Sequence, residues 1–128
     1  MAKKILVVED QPEIRRLIRM TLEFEDYEIS EASTATEGLA TAMDLEPDLL
    51  LLDVMTPGDL DGLDVCALVK QAPGRMHRPA VILLTARGQQ QDVADGLAAG
   101  ADAYLLKPFS PLQLLETVKT MLMPKARA

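Results

Sequence analysis

The sequence has a single cysteine, fewer basic than acidic residues and no long apolar run, and each shortage excludes a class of protein. Cys66 has no partner for an internal disulfide, which favours a reducing, cytoplasmic compartment. The 13 basic and 20 acidic residues give a formal net charge of −7, which argues against direct binding of nucleic acid. No apolar run approaches the roughly 20 residues that cross a bilayer, and the run after Lys4 is too short for a signal peptide. We therefore expect no membrane insertion.

Length and composition predict one folded domain. A chain of 128 residues can bury a real core but is too short for two ordinary domains. Its 48% hydrophobic and 26% charged residues are typical of a globular protein. We place the domain at residues 1–123 and a short C-terminal tail at residues 124–128.

The hydrophobic pattern predicts five strands. Four continuous apolar runs indicate strands that are covered on both faces, and one alternating segment indicates a strand near an edge of the sheet. The apolar runs are residues 5–8, 49–52, 80–84 and 103–106, and the alternating segment is residues 27–30.

Helical periodicity lies between the strands. In the first helix, apolar side chains recur with the spacing of one helical face. Thr34 with Glu37, and Ser110 with Gln113, are capping patterns that predict two helix starts, while Gly96 makes the fourth helix weak. The residues expected to face the core are Ile14, Leu17, Ile18, Thr21 and Leu22; then Leu39, Ala42 and Met43; then Leu63, Cys66, Ala67 and Val69; then Val93 and Leu97; and finally Leu112, Leu115, Val118 and Leu122, with Met20, Met121 and Met123 also filling the core. Alternating strands and helices predict a doubly wound parallel α/β sheet with helices on both faces.

Acidic residues follow two of the predicted strands. Glu9 and Asp10 come after the first strand and Asp53 after the third. The carboxyl ends of parallel strands share one edge, so the three carboxylates converge if these strands are neighbours. Any one of these acids alone would be better explained as a helix cap than as a metal ligand. Three converging carboxylates repel one another unless a hard cation lies among them, and the pattern therefore predicts a Mg²⁺ site.

Two further polar residues lie at the same predicted edge of the sheet. Thr85 follows the fourth strand and Lys107 follows the fifth. A hydroxyl donor and an ammonium group facing carboxylates and a metal form a suitable site for a dianion, and a phosphoryl group is the obvious candidate.

Over residues 3–123 the chain resembles the receiver domain of bacterial two-component response regulators. The resemblance rests on five elements in order at the ends of successive strands, which are the Glu9-Asp10 pair, Asp53, Thr85, Tyr104 and Lys107-Pro108. It implies a flavodoxin-like strand order, 2-1-3-4-5. It also implies a cis peptide bond between Lys107 and Pro108, which would aim the lysine at the site.

The resemblance implies a phosphorylation site with assigned roles. Asp53 would accept a phosphoryl group from a sensor histidine kinase or a phosphotransfer protein. The carboxylates of Glu9, Asp10 and Asp53 and the backbone carbonyl of Met55 would hold Mg²⁺, which lowers the charge that opposes an anionic donor. Lys107 and Thr85 would contact phosphoryl oxygens. The chain would then act only on its own aspartate and would not be an enzyme in the ordinary sense.

A conformational switch is also implied. Thr85 and Tyr104 would move together on phosphorylation and change the face built from the fourth helix, the fifth strand and the fifth helix, which would bind a downstream protein. Dimerisation on phosphorylation stays open. Met55 and Arg87 resemble variable positions that tune loss of the phosphoryl group, and the loop of residues 55–62 is one residue longer than the commonest family pattern.

The sequence is compatible with several alternatives. We expect a stand-alone receiver, but the chain could also be a fragment of a larger transcription factor or hybrid kinase. A receiver-like scaffold that works without phosphorylation would not need all five polar residues. An aspartate-nucleophile phosphohydrolase would carry an Asp-x-Asp pattern at its first strand, and this pattern is absent.

Overall fold

A five-stranded parallel sheet forms the centre of the molecule, with strand order β2-β1-β3-β4-β5. The computed structural model describes residues 2–56, 58–71, 79–86 and 90–123. The strands are β1 (Lys3–Val8), β2 (Tyr27–Ala32), β3 (Leu49–Asp53), β4 (Ala80–Ala86) and β5 (Ala103–Lys107), and the helices are α1 (Pro12–Leu22), α2 (Ala35–Leu45), α3 (Gly62–Gln71), α4 (Gln90–Ala98) and α5 (Pro111–Leu122). The predicted fold class and strand order are confirmed.

The sheet separates two hydrophobic cores. Leu6 and Leu50 point into one core, which α2 and α3 cover, whereas Ile5 and Leu49 point into the other, which α1 and α5 cover. These side chains are fully buried. Covering both faces explains why β1 and β3 read as continuous apolar runs. Each fully buried aliphatic side chain stabilises the fold by about 1.5–3 kcal/mol relative to its exposed state.

β2 is an edge strand, as its alternating sequence predicted. Only Ala32 of its six residues is buried. Within the part of the chain that the structure describes, no helix is both long enough and apolar enough to cross a membrane.

Several residues assigned to the core are exposed instead. A helix on a sheet buries only the narrow stripe that faces the strands, so residues at the border of a predicted apolar face turn toward solvent. In α5 the buried residues are Leu114, which the pattern missed, and Val118. The predictions of core positions were wrong for Leu17, Met20, Met43, Leu97, Leu112 and Met123.

The two capping patterns have different outcomes. Ser110 and Gln113 form the complete capping box at the start of α5, because each side chain bonds the backbone N–H of the other at 3.0 and 3.1 Å. At α2, Thr34 accepts from the backbone N–H of Glu37 at 3.1 Å, as predicted. The Glu37 carboxylate, however, accepts from the N–H of Ser33 at 2.7 Å, so the reciprocal bond is made one residue earlier.

Gly96 has a packing reason to lie inside α4. It is buried, and a Cβ built there would lie 2.0 Å from Cδ1 of Leu83 on β4. The glycine therefore lets α4 approach the sheet closely, although it lowers the intrinsic helix propensity of the segment.

Candidate functional site

The acidic cluster is built by the register of the two central strands. Val8 of β1 pairs with Leu52 of β3, so the next residues along, Glu9 and Asp53, lie side by side at the carboxyl edge. Glu9 is fully buried, Asp53 is 4% exposed and Asp10 is half-buried. One carboxylate oxygen from each acid lies within 4.8 Å of the other two. The three acids that the sequence singled out therefore converge.

Lys107 reaches this cluster from the end of β5, across the intervening strand β4. Its Nζ lies 2.8 Å from Oε1 of Glu9 and 3.3 Å from Oδ1 of Asp53. The peptide bond between Lys107 and Pro108 is cis. Oδ1 of Asp53 also accepts from the backbone N–H of Met55 at 3.2 Å. These two partners fix the orientation of the Asp53 carboxylate.

Burial dominates the electrostatics of the two inner acids. It raises the pKa of Glu9 to about 7, the Lys107 ammonium opposes the shift, and the charge of Asp53 adds to it. The pKa of Asp53 is likewise raised by burial and lowered in part by Lys107. One ammonium group among three carboxylates does not compensate the loss of water around them. A divalent cation would favour the ionised forms of both acids.

The donor set fits a hard cation. Its three side chains offer only carboxylate oxygens, and they already converge without any rearrangement of β1 or β3. Oxygen-only ligands at an open edge of the sheet suit Mg²⁺ rather than a softer transition metal.

Thr85 lies at the same edge and is 1% exposed. It follows Leu84, the residue that pairs with Asp53 in the sheet. Among the described residues its buried hydroxyl has no hydrogen-bond partner. An unpaired buried hydroxyl costs about 1–3 kcal/mol, and a ligand at this edge that accepted its hydrogen bond would relieve that cost.

Three further residues were predicted to belong to the site, which are Tyr104, Met55 and Arg87. Tyr104 on β5 pairs in register with Leu83, and its side chain is 44% exposed. The side chain of Met55 is also exposed, and its backbone N–H donates to Asp53. Arg87 lies outside the described residues.

Sequence reasoning missed two supporting residues. A Cβ on Gly62 would lie 2.3 Å from the carbonyl oxygen of Asp53, so α3 can begin against the end of β3 only with glycine at this position. Arg15 on α1 donates from Nη1 to the backbone carbonyl of Glu9 at 2.8 Å. In the sequence, Gly62 is marked only as the last residue of the loop of residues 55–62. No spacing in the sequence marks Arg15, because its role depends on how α1 is rotated against the sheet.

Comparisons with known proteins agree with this geometry. The model of the response regulator receiver domain family matches residues 5–119. The chain is 43% identical to the transcriptional regulatory protein ResD of Bacillus subtilis over 119 residues, which are 93% of this chain and 48% of the relative. It is 40% identical to the transcriptional regulatory protein SrrA of Staphylococcus aureus over 123 residues, which are 95% of this chain and 48% of that relative. The chain thus spans about half the length of these curated relatives.

Solved structures agree as well. A CheY-like response regulator receiver domain protein from Methanospirillum hungatei superimposes with a TM-score of 0.84 at 36% identity, over 95% of this chain and 94% of the other. The chemotaxis response regulator CheY4 of Vibrio cholerae superimposes with a TM-score of 0.85 at 30% identity, over 95% of this chain and 100% of the other.

Proposed function

The chain belongs to the response regulator receiver domain family, and from this premise we propose that Asp53 accepts a phosphoryl group in a two-component phosphorelay. One arrangement supports the proposal more than any other. The Asp53 carboxylate converges with Glu9 and Asp10, an acid pair suited to Mg²⁺, and lies 3.3 Å from Nζ of Lys107. The unpaired hydroxyl of Thr85 lies at the same edge of the sheet. These are the groups needed to bring a phosphoryl group to a carboxylate and hold it there.

The transfer itself needs little from the protein beyond positioning. An oxygen of Asp53 forms a bond to phosphorus while the bond from phosphorus to the donor's histidine nitrogen breaks, and the electron pair of that bond stays on the imidazole nitrogen. No general base is required, because the carboxylate is already ionised when it attacks. Hydrolysis of the resulting mixed anhydride returns Asp53 to its original form.

Each neighbouring residue has a distinct proposed role. Glu9, Asp10, Asp53 and the backbone carbonyl of Met55 would hold Mg²⁺. When bound there, Mg²⁺ would neutralise part of the carboxylate charge and so let an anionic donor approach. Lys107 would contact one phosphoryl oxygen.

The unpaired hydroxyl of Thr85 would donate to another phosphoryl oxygen. We propose that this new bond pulls Thr85 toward the site and lets the exposed ring of Tyr104 turn inward, which changes the face formed by α4, β5 and α5. That face would bind the downstream protein or a second copy of the chain. Arg87 and Met55 would tune how long the phosphoryl group persists. A sensor histidine kinase or a phosphotransfer protein would be the donor, and this chain would act in the cytoplasm.

Intact-mass spectrometry after incubation with acetyl phosphate tests the acceptor. We expect a gain of one phosphoryl group that requires Mg²⁺ and is absent from Asp53→Asn, a nearly isosteric change that should leave the fold intact. Circular dichroism of both proteins is the control for folding. Phosphate on the Asn variant would place the acceptor elsewhere.

Absence of the gain in the wild type, both with acetyl phosphate and with a panel of phosphorylated histidine kinases, would favour a scaffold that works without phosphorylation.

The length of the relatives favours a second arrangement of the same function. ResD and SrrA carry names of transcriptional regulatory proteins and are about twice as long as the matched region. We propose as the alternative that this receiver, residues 1–123, regulates an output domain in a longer protein. An immunoblot of the native cell extract with an antibody against this domain distinguishes a product of about 14 kDa from a longer one.

A further inference from the structure

The backbone of Glu9 is held by hydrogen bonds at both its N–H and its carbonyl group. The backbone N–H of Glu9 donates to the carbonyl of Ala32 at 3.1 Å and so continues the pairing of β1 with β2. The carbonyl of Glu9 accepts from Nη1 of Arg15 at 2.8 Å. This carbonyl belongs to the peptide plane that joins the two acids. Fixing its direction therefore fixes how the Asp10 side chain is presented relative to that of Glu9.

Arg15 is itself held by a carboxylate on the edge strand. Its Nε lies 3.2 Å from Oε1 of Glu31. The other oxygen of Glu31 accepts from Nε of Arg19, whose Nη2 donates to the carbonyl of Ile29 at 3.1 Å. Glu31 thus lies between two guanidinium groups, and the planar fork of Arg15 is oriented before it meets the Glu9 carbonyl.

We propose that Arg15, held by Glu31, is a positioning residue for the metal-binding acid pair and that it sets the Mg²⁺ affinity of the site. The inference rests on the proposed function, because it assumes that Glu9 and Asp10 bind the metal. Arg15 touches neither of their carboxylates. It acts only through the backbone carbonyl, as outer-shell partners of metal ligands do.

The positive charge of Arg15, taken alone, would have the opposite effect on the Mg²⁺ affinity of the site. The Arg15 guanidinium is a positive charge near a site for a divalent cation, so its removal should strengthen Mg²⁺ binding if charge were its only contribution. Removal should weaken binding if the residue positions the acid pair. The direction of the change therefore separates the two effects.

Isothermal titration calorimetry of Mg²⁺ binding to Arg15→Gln, without any phosphodonor, is the test. We expect the dissociation constant to rise about tenfold, the lower end of the range for lost outer-shell partners. Arg16→Gln is the matched control, because Arg16 is the exposed neighbour on the same helix and the charge change is identical. Arg19→Gln is a second control, since Arg19 shares Glu31 but bonds the carbonyl of Ile29. Both controls should change the constant less than twofold.

Two readouts separate positioning from general support of the fold. In NMR spectra of the metal-free protein, the backbone amide signal of Asp10 should differ from that of the wild type more in Arg15→Gln than in Arg16→Gln. Arg15→Lys keeps the charge and a hydrogen-bond donor group, so it should recover part of the Mg²⁺ affinity that Arg15→Gln loses. If Arg15→Gln does not fold, Arg15→Lys replaces it in the test.

Unchanged or tighter Mg²⁺ binding by a folded Arg15 variant would overturn the inference while leaving the proposed function intact. If the wild type bound no Mg²⁺, or if Asp53→Asn bound it as tightly as the wild type, the proposed function would fail and the inference with it.

Discussion

The protonation of Glu9 depends on opposing effects, because its carboxyl group is fully buried beside another acid and has one ammonium partner. Its pKa is about 7 in the folded protein against an ordinary value of 4.5. The folded state therefore holds this proton more tightly than the unfolded state does. Between pH 4.5 and 7 the unfolded chain has released the proton while the native protein still binds it, so the free energy of unfolding falls as pH rises.

We predict this slope for the metal-free protein. Urea denaturation in EDTA should give a lower free energy of unfolding at pH 7 than at pH 5, and Glu9→Gln should flatten the dependence because it cannot titrate. Adding Mg²⁺ should stabilise the protein more at pH 7 than at pH 5, since metal and proton compete for the same carboxylates. An equal slope in wild type and variant would mean that the raised pKa belongs to another group.

Lys107 competes with a metal for the same oxygens, since its Nζ lies 2.8 Å from Glu9 and 3.3 Å from Asp53. We predict that Lys107→Ala binds Mg²⁺ at least as tightly as the wild type, because the variant lacks a cation that the metal would have to displace. Its response to phosphorylation should be weaker, since the variant lacks one of the proposed contacts to the phosphoryl group. Isothermal titration calorimetry with Mg²⁺ measures the first effect. Amide NMR spectra before and after addition of acetyl phosphate measure the second.

The two effects are separable in the Lys107 variant. Weaker metal binding would show that the lysine organises the acids, and an unaltered spectral response would remove Lys107 from the switch. Lys119→Ala is a matched control, because Lys119 pairs with Glu25 on another part of the surface at 3.4 Å.

At the scale of the element, α4 shows packing that overrides propensity. Alanine is the better helix former by about 1 kcal/mol, so Gly96→Ala should stabilise an isolated helix. In the protein the new methyl group would meet Leu83, which is buried in β4. We predict that Gly96→Ala lowers the free energy of unfolding by about 1–2 kcal/mol, because overpacking outweighs the gain in propensity.

Urea denaturation of Gly96→Ala and Ala94→Gly tests this account of α4. Ala94 is exposed on the same helix, so its replacement by glycine reports propensity alone and should cost about 1 kcal/mol. A Gly96→Ala protein more stable than the wild type would show that Leu83 moves aside without cost.

The elements also show which features a sequence can predict. β1, β3 and β4 are buried on both faces, so their apolar runs identify them directly, with ends one or two residues beyond the runs. The convergence of Glu9, Asp53 and Lys107 at the candidate site was predictable because each residue ends or immediately follows a strand, and the strand ends lie along one edge of the sheet. The apolar periodicity of a helix does not define its rotation about its axis precisely enough to say which residue at the border of the apolar face is buried. For this reason Leu112 was assigned to the core and Arg15 was overlooked.

At the scale of the whole molecule, we expect the two hydrophobic cores to unfold together. Alternate residues of one strand serve both cores, as Leu6 and Ile5 do in β1, so losing either core removes the support of the sheet. The single thiol, Cys66, is buried in the core beneath α2 and α3, whereas Tyr27 packs against the other core. One probe is thus available on each side of the sheet.

We predict that the two probes report a single transition. The midpoint in urea for labelling of Cys66 by a thiol reagent should coincide with the midpoint of the fluorescence change in Tyr104→Phe, a variant whose only tyrosine is Tyr27, as expected for cooperative unfolding of a small domain. In the native state the thiol should be protected, because it is buried and its pKa is raised to about 11 by that burial. Mg²⁺ should shift both midpoints equally, since the site spans β1 and β3, which both cores share. Labelling of Cys66 at a lower urea concentration than the fluorescence change would show that α3 opens independently of the sheet.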